Sequence, residues 1–297
     1  MYTIFFCAVQ ILLCAAVCFI SFVCYNISYI HFESEVIPIK DLKNLAAWLD
    51  EAIAGFDGTW SYIVHIKDGE DEAKIACQET HVHRSASMIK VLILAALCAG
   101  DISFDAKMRI DSVARAEGGG ALQEMNGDAE LTVRALASLM IVLSDNLATN
   151  LLIDRLGMAY INSYARQIGL ADTKLRRAMM DFAAAEAGQE NTMSAADCDK
   201  LLWHIYSRKD EPRFAEAWRI LGRQQFRDRL PYHWNEDVVF HHKTGMLDGA
   251  EHDGGILEGK NGACSIIVFA SDLPSNSIGG IQIGRLGEYI YNYLEKS

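Results

Sequence analysis

Proline is scarce, four in 297 residues, and no stretch of the chain is repetitive or compositionally biased. That argues against a proline-rich linker, a disordered protein or a repeat array. Basic residues are also few: 27 Lys and Arg stand against 39 Asp and Glu, for a net charge of −12. Nucleic-acid binding is set aside on that ground, because affinity for a phosphate backbone rests on clustered Lys and Arg. The folded part has no CxxC spacing. Cys77, Cys98, Cys198 and Cys264 are scattered, which fits buried free thiols better than a zinc ribbon or a disulfide framework. His81-Val82-His83 and His241-His242 lack a third ligand at workable spacing, so neither a metal nor a cofactor is expected.

Charge is missing altogether from Met1 to Ile30, and Ile4–Ile20 is almost wholly apolar. Such a run is long enough to span a bilayer as a helix. It reads as a membrane anchor or a secretory signal peptide. The absence of a basic n-region and of a small-x-small cleavage site tilts the reading towards an anchor. Either way the protein is expected to be exported, membrane-anchored or secreted, and residues 1–30 are left out of the fold.

The remainder is rich in apolar residues with readable periodicity. Asp41–Gly55 reads as an amphipathic helix, with Leu42, Leu45, Leu49 and Ile53 on one face. Thr59–Lys67 and Glu72–Gln78 read as a hairpin. The apolar run after Ser87 reads as a buried helix that Gly100 stops. Thr132–Leu143, Asn146–Leu156, Ser194–Tyr206 and Glu211–Leu221 carry helical periodicity, with a capping signal from Ser194 to Asp197. Val238–Lys243, Gly254–Glu258 and Ala263–Ala270 read as strands, and Leu286–Leu294 as a last helix. The expectation is an α/β fold: an antiparallel sheet flanked by terminal helices (residues 41–80 and 235–295) plus an inserted all-α part (87–230). A ligand cleft is expected between them.

Three short motifs carry the chemistry. Ser87-Met88-Ile89-Lys90 puts a hydroxyl and an amine on one helix face, a nucleophile beside a base if burial makes the lysine neutral. The helix N-terminus adds backbone N–H groups for an oxyanion. Alone the motif is weak, since Ser-x-x-Lys occurs about once by chance in a chain of this length. Ser144-Asp145-Asn146 sits between two apolar helical segments. It reads either as a helix cap by Ser144 or Asp145, or as a proton relay (Ser144) with an orienting amide (Asn146) towards Lys90 and a substrate amide. Lys243-Thr244-Gly245 closes the strand Val238–His242. Lys243 and Thr244 would take a substrate carboxylate, Gly245 would allow close approach, and the Met246 N–H would be a second oxyanion donor. All three motifs in this order make coincidence improbable.

The set resembles class A β-lactamases and penicillin-binding proteins, and the wording around Leu143–Leu152 and His242–Gly245 extends that resemblance over roughly Asp41–Leu294. It implies a β-lactamase/transpeptidase-like fold in which Ser87 opens a β-lactam ring and water then releases the acyl group. The alternatives are a DD-peptidase or cell-wall acyltransferase and a β-lactam sensor. The partner would be a β-lactam or a D-Ala-D-Ala-type peptide, and the protein a monomer. Two departures stand out. Where the family carries a loop glutamate for deacylation this chain has Met179, which leaves Asp181 as the candidate base. No arginine lies between Arg229 and Arg285, and His252 occupies the neighbourhood of the family's extra basic residue, with Arg285 as a distant helper.

Overall fold

The computed structural model describes residues 42–259 and 262–295. The apolar segment 1–30 and Asp41 lie outside the described residues.

The chain opens with helix α1 (Lys43–Ala54), then strands β1 (Thr59–Asp68), β2 (Asp71–Cys77) and β3 (Val82–Arg84). Helix α2 (Ile89–Ala99) follows a one-turn 3-10 helix at Ala86–Met88, and Gly100 caps it. The short strands β4 (Lys107–Arg109) and β5 (Glu130–Thr132) lead into α3 (Val133–Val142), α4 (Asn146–Leu156) and α5 (Met158–Gln167). After α6 (Phe182–Glu186) and β6 (Thr192–Ser194) come α7 (Ala195–Tyr206) and α8 (Pro212–Leu221). The chain closes with β7 (Phe240–Leu247), β8 (Ala250–Glu258), β9 (Ala263–Ser271) and α9 (Asn276–Glu295).

One antiparallel five-stranded sheet runs β2-β1-β9-β8-β7, so the two ends of the chain meet at the β1–β9 pair. Alternation along the strands sends side chains to opposite faces. Val64, Ile266 and Val268 meet Leu45, Leu49, Leu286 and Ile290 of the terminal helices. Ile63, Ile267 and Phe269 join the core of the helical part. Helix α2 is buried from Ile89 to Cys98, because an all-apolar helix is stable only when surrounded. The expected α/β architecture is therefore observed, and the four cysteines among the described residues are free.

Three elements differ from expectation for physical reasons. Strand β7 does not end at Lys243. It continues to Leu247, paired through Leu247–Ala250 across the two-residue turn Asp248-Gly249, so Lys243-Thr244-Gly245 lies inside an edge strand. Helix α9 begins ten residues earlier than its leucine periodicity indicates. Its first half is rich in glycine, a poor helix former, and Gly287 shows why glycine serves here: a Cβ would stand 2.0 Å from the Leu230 carbonyl oxygen. Helix α5, which the sequence reading did not assign, buries only the short face Ile161, Tyr164 and Ala165.

The segment between α5 and α7 hangs on buried Asp197, whose carboxylate accepts the N–H groups of Ala171, Asp172 and Thr173 at 2.7–3.1 Å and the Thr173 hydroxyl at 2.8 Å. Asp197→Ala is expected to cost about 3 kcal/mol by orphaning those donors, a fall of roughly 6–12 °C in thermal midpoint. A fall below about 2 °C would mean that water replaces the carboxylate.

Candidate active site

Ser87 sits in the 3-10 turn that precedes α2, half-buried, and its hydroxyl has no hydrogen-bond partner among the described residues. The turn is held from three sides. The Ser85 N–H donates to the Asn191 carbonyl at 2.8 Å and the Met88 N–H to the Ser85 carbonyl at 2.9 Å. Gly245 lies underneath, where a Cβ would come within 3.1 Å of Met88 Cγ and 3.2 Å of Ala86 Cβ. The small residue at 245 thus makes room for the nucleophile turn itself, a use the sequence reading had assigned to ligand approach. Ala86 has φ +47°, a conformation that costs a non-glycine residue roughly 1–2 kcal/mol.

Lys90 is fully buried in the first turn of α2. Its Nζ donates to the Ser144 carbonyl at 2.7 Å, Ser144 Oγ at 3.0 Å and Asn146 Oδ1 at 2.9 Å. Burial, and then the charge of Lys243, pull its pKa well below the usual lysine value, opposed only by Asp145. The three contacts serve both protonation states. An ammonium donates three times; a neutral amine donates twice, and the Ser144 hydroxyl can turn its proton onto the lone pair.

The Ser144–Asn146 joint divides its labour. Asp145 is the helix cap: Oδ1 accepts the Ala148 N–H at 2.9 Å, and Oδ2 those of Ala121 and Leu122 at 2.8 and 2.7 Å. Ser144, at φ +53°, and Asn146 are thereby left facing Lys90. Asn146 Nδ2 donates to the Glu117 carbonyl at 3.1 Å, which ties the 117–120 loop to the same cluster.

Lys243 is fully buried on the edge strand, its Nζ bonded to the Thr244 carbonyl at 2.6 Å. Burial lowers its pKa to about 7, against the pull of Asp253. Thr244 is half-buried and Met246 is 63% exposed, so the strand edge past Gly245 is open.

The structure brings Lys90, Ser144 and Asn146 together, but not Asp181. The Asp181 carboxylate is exposed and caps α6 by accepting the Ala184 N–H at 3.0 Å. Met179 is buried in the core, its backbone clamped on both sides by the Asn150 amide (2.7 and 3.1 Å). The Met180 thioether lies against Gly118, where Asn146 Nδ2 also reaches. His252 is also corrected: it is fully buried with both ring nitrogens engaged inside the protein, leaving none for a ligand carboxylate. Arg285 is exposed on α9, without a partner among the described residues.

Sequence reasoning missed the residues that hold the 171–191 loop. Asn191 Oδ1 accepts the Arg176 and Arg177 N–H groups, and Arg177 pairs with Glu190 at 2.7 Å. Asn162 clasps Leu175 from both sides. Only Asn150 left a signal, four residues after Asn146 and so on the same face of α4.

The sequence profile described as the beta-lactamase enzyme family matches residues 43–294. The chain belongs to that family. Among solved structures it is similar to a β-lactamase from Sphaerobacter thermophilus, at 25% identity over 86% of this chain and 98% of that one, with a TM-score of 0.75. It is also similar to PBP-A, at 23% identity over 86% and 97%, TM-score 0.76, and to a PBP-A mutant captured as an acyl-enzyme complex with penicillin G, at 23% over 86% and 98%, TM-score 0.76. No curated protein matches the sequence. Family and fold together support a serine β-lactamase-like hydrolase.

Proposed function

We propose that Ser87 is acylated by β-lactams, or by D-Ala-D-Ala-type peptides, and that the acyl-enzyme is long-lived. The observation that carries this reading is the Lys90 amine, fully buried and held by Ser144 and Asn146 with no carboxylate in contact. A neutral Lys90 takes the Ser87 proton as Oγ attacks the carbonyl carbon. The backbone N–H groups of Ser87 and Met246 receive the oxyanion. Collapse breaks the C–N bond, and the leaving nitrogen takes its proton from Lys90 through Ser144. Lys243 and Thr244 hold the substrate carboxylate. Export belongs to the same proposal and rests on the apolar segment at residues 1–30 alone.

Release of the acyl group needs a base for water, and the loop supplies Met179 and Met180 where such a base would stand. Asp181 as that base is disfavoured by its role as a cap. The reading therefore leans towards a penicillin-binding enzyme rather than a fast β-lactamase, and the acyl-enzyme of the similarly folded PBP-A supports that comparison.

Intact-protein mass spectrometry after mixing with penicillin G is expected to show one adduct, absent from Ser87→Ala, that persists for many turnover times of a fast hydrolase. No adduct would sink the proposal, and an adduct that decays within seconds would restore the β-lactamase reading. Met179→Glu is expected to shorten the adduct's lifetime at least ~10-fold, short of the roughly 10²–10⁴-fold that a fully positioned base provides.

The second-order rate constant of acylation is expected to be bell-shaped in pH. Its acid limb follows protonation of Lys90, which removes the base as pH falls through that group's lowered pKa. Its basic limb follows loss of charge from Lys243 as pH rises through about 7. Lys243→Arg should abolish the basic limb and keep the acid one, because a guanidinium does not deprotonate in this range. A basic limb unchanged in that variant would remove Lys243 from carboxylate binding.

A further inference from the structure

His252 is the unexplained residue nearest the site. It lies on β8 directly opposite Gly245 of β7, fully buried, with Phe269 at 4.6 Å and His83 at 5.7 Å between ring centroids. Its Nδ1 accepts the Ala270 N–H at 3.3 Å, which puts the ring proton on Nε2. Nε2 is 2.8 Å from the Arg84 carbonyl oxygen. Arg84 is the last residue of β3, three before Ser87, and its guanidinium donates to the Asp248 carbonyl in the β7–β8 turn at 2.6 Å. The segment that carries the nucleophile is therefore fastened to the β7–β8 hairpin before the turn by His252 and Arg84, and within it by contact on Gly245.

Resting on the acylation reading above, we propose that His252 is a positioning residue: its Nε2–H holds the Arg84 carbonyl, and so sets Ser87 against the Lys243–Met246 strand edge. Burial suits that task. A ring with one protonated nitrogen and two backbone partners is locked in tautomer and in rotation. The turn it steadies contains Ala86 in the left-handed region, a conformation that persists only where the surroundings over-determine it. The histidine acts through backbone geometry and touches no substrate, so its loss should slow bond formation while leaving non-covalent recognition intact.

The test compares His252→Leu, which keeps bulk without a donor, with His252→Gln, whose amide can donate to the same carbonyl. Both are made in the full chain, and penicillin G acylation is resolved into the initial binding constant and the first-order acylation rate. The leucine variant is expected to lose about tenfold or more in acylation rate, with binding changed less than about twofold, and the glutamine variant to recover most of that rate. Equal losses in both variants, an unchanged rate in the leucine variant, or a loss confined to binding would overturn the assignment. Should the leucine variant fail to fold, ring nitrogen-15 NMR of the wild type decides: an Nε2–H tautomer is expected, and an Nδ1–H tautomer would remove the Arg84 bond. Should the wild type form no penicillin adduct, the acylation reading falls by itself. Ser87 labelling by a fluorophosphonate in the two variants then still reads its placement, with the same expected order.

Discussion

An amine taken out of water is costly to keep charged, and this site is built around two of them. Lys90 and Lys243 are both fully buried, and among the described residues neither makes a hydrogen bond to a carboxylate. The charge of Lys243 also raises the cost of charging Lys90. The dry wall is helix α2, apolar on every side, and the acceptors come from the Ser144–Asn146 joint. Under the proposed function, the same burial would make Lys90 a base, and Lys243 would take an anion at the strand edge. A substrate carboxylate is the partner that would complete it.

The 171–191 loop is equally ordered, and it carries Met179 and Met180 where the family's glutamate is expected. The 171–191 loop is tied by Asn150, Asn162, Asn191 and Asp197 through its backbone, and by the Arg177–Glu190 pair through side chains. A slow second half of the reaction would thus arise from what a rigid loop presents, two methionines, and not from a loop that fails to form. Bringing Asp181 into the site would require giving up its cap on α6. Rigidity and emptiness together are what a stable acyl-enzyme needs, since a mobile loop would admit water and an occasional base.

How much of this was legible depended on how local the signal was. The helices that border the site were read within a residue or two, because α4 and α7 carry both a cap and an apolar face inside their own sequence. Ser87, Lys90, Ser144, Asn146 and Lys243 stand out in the sequence because three short motifs mark them, and the fold brings Lys90, Ser144 and Asn146 together. What escaped was set by partners distant in the chain. Nothing in Leu286–Leu294 announces that α9 extends back through three glycines to Asn276, two of which pack on Arg229, far off in the chain. The Asn191 carbonyl takes the Ser85 N–H and the His252 ring meets the Arg84 carbonyl, and no periodicity encodes either meeting. Asp181 illustrates the converse: it stands two residues from the expected position of the base, and only the fold shows its carboxylate capping a helix end.

The backbone strain in the molecule is distributed in a way that links these walls. Among the described residues five non-glycine residues have positive φ, and three of them, Ala86, Ser144 and Met180, stand in the nucleophile turn, the joint above Lys90 and the facing loop. At roughly 1–2 kcal/mol each, they would relax unless long-range contacts held them: Gly245 and Asn191 for the first, the Asp145 cap for the second, the Asn150 clamp on the neighbouring residue for the third. Segments far apart in the chain must therefore all be in place before any one of them adopts its working conformation. The site is a property of the complete fold, and its reacting groups are set before a substrate arrives.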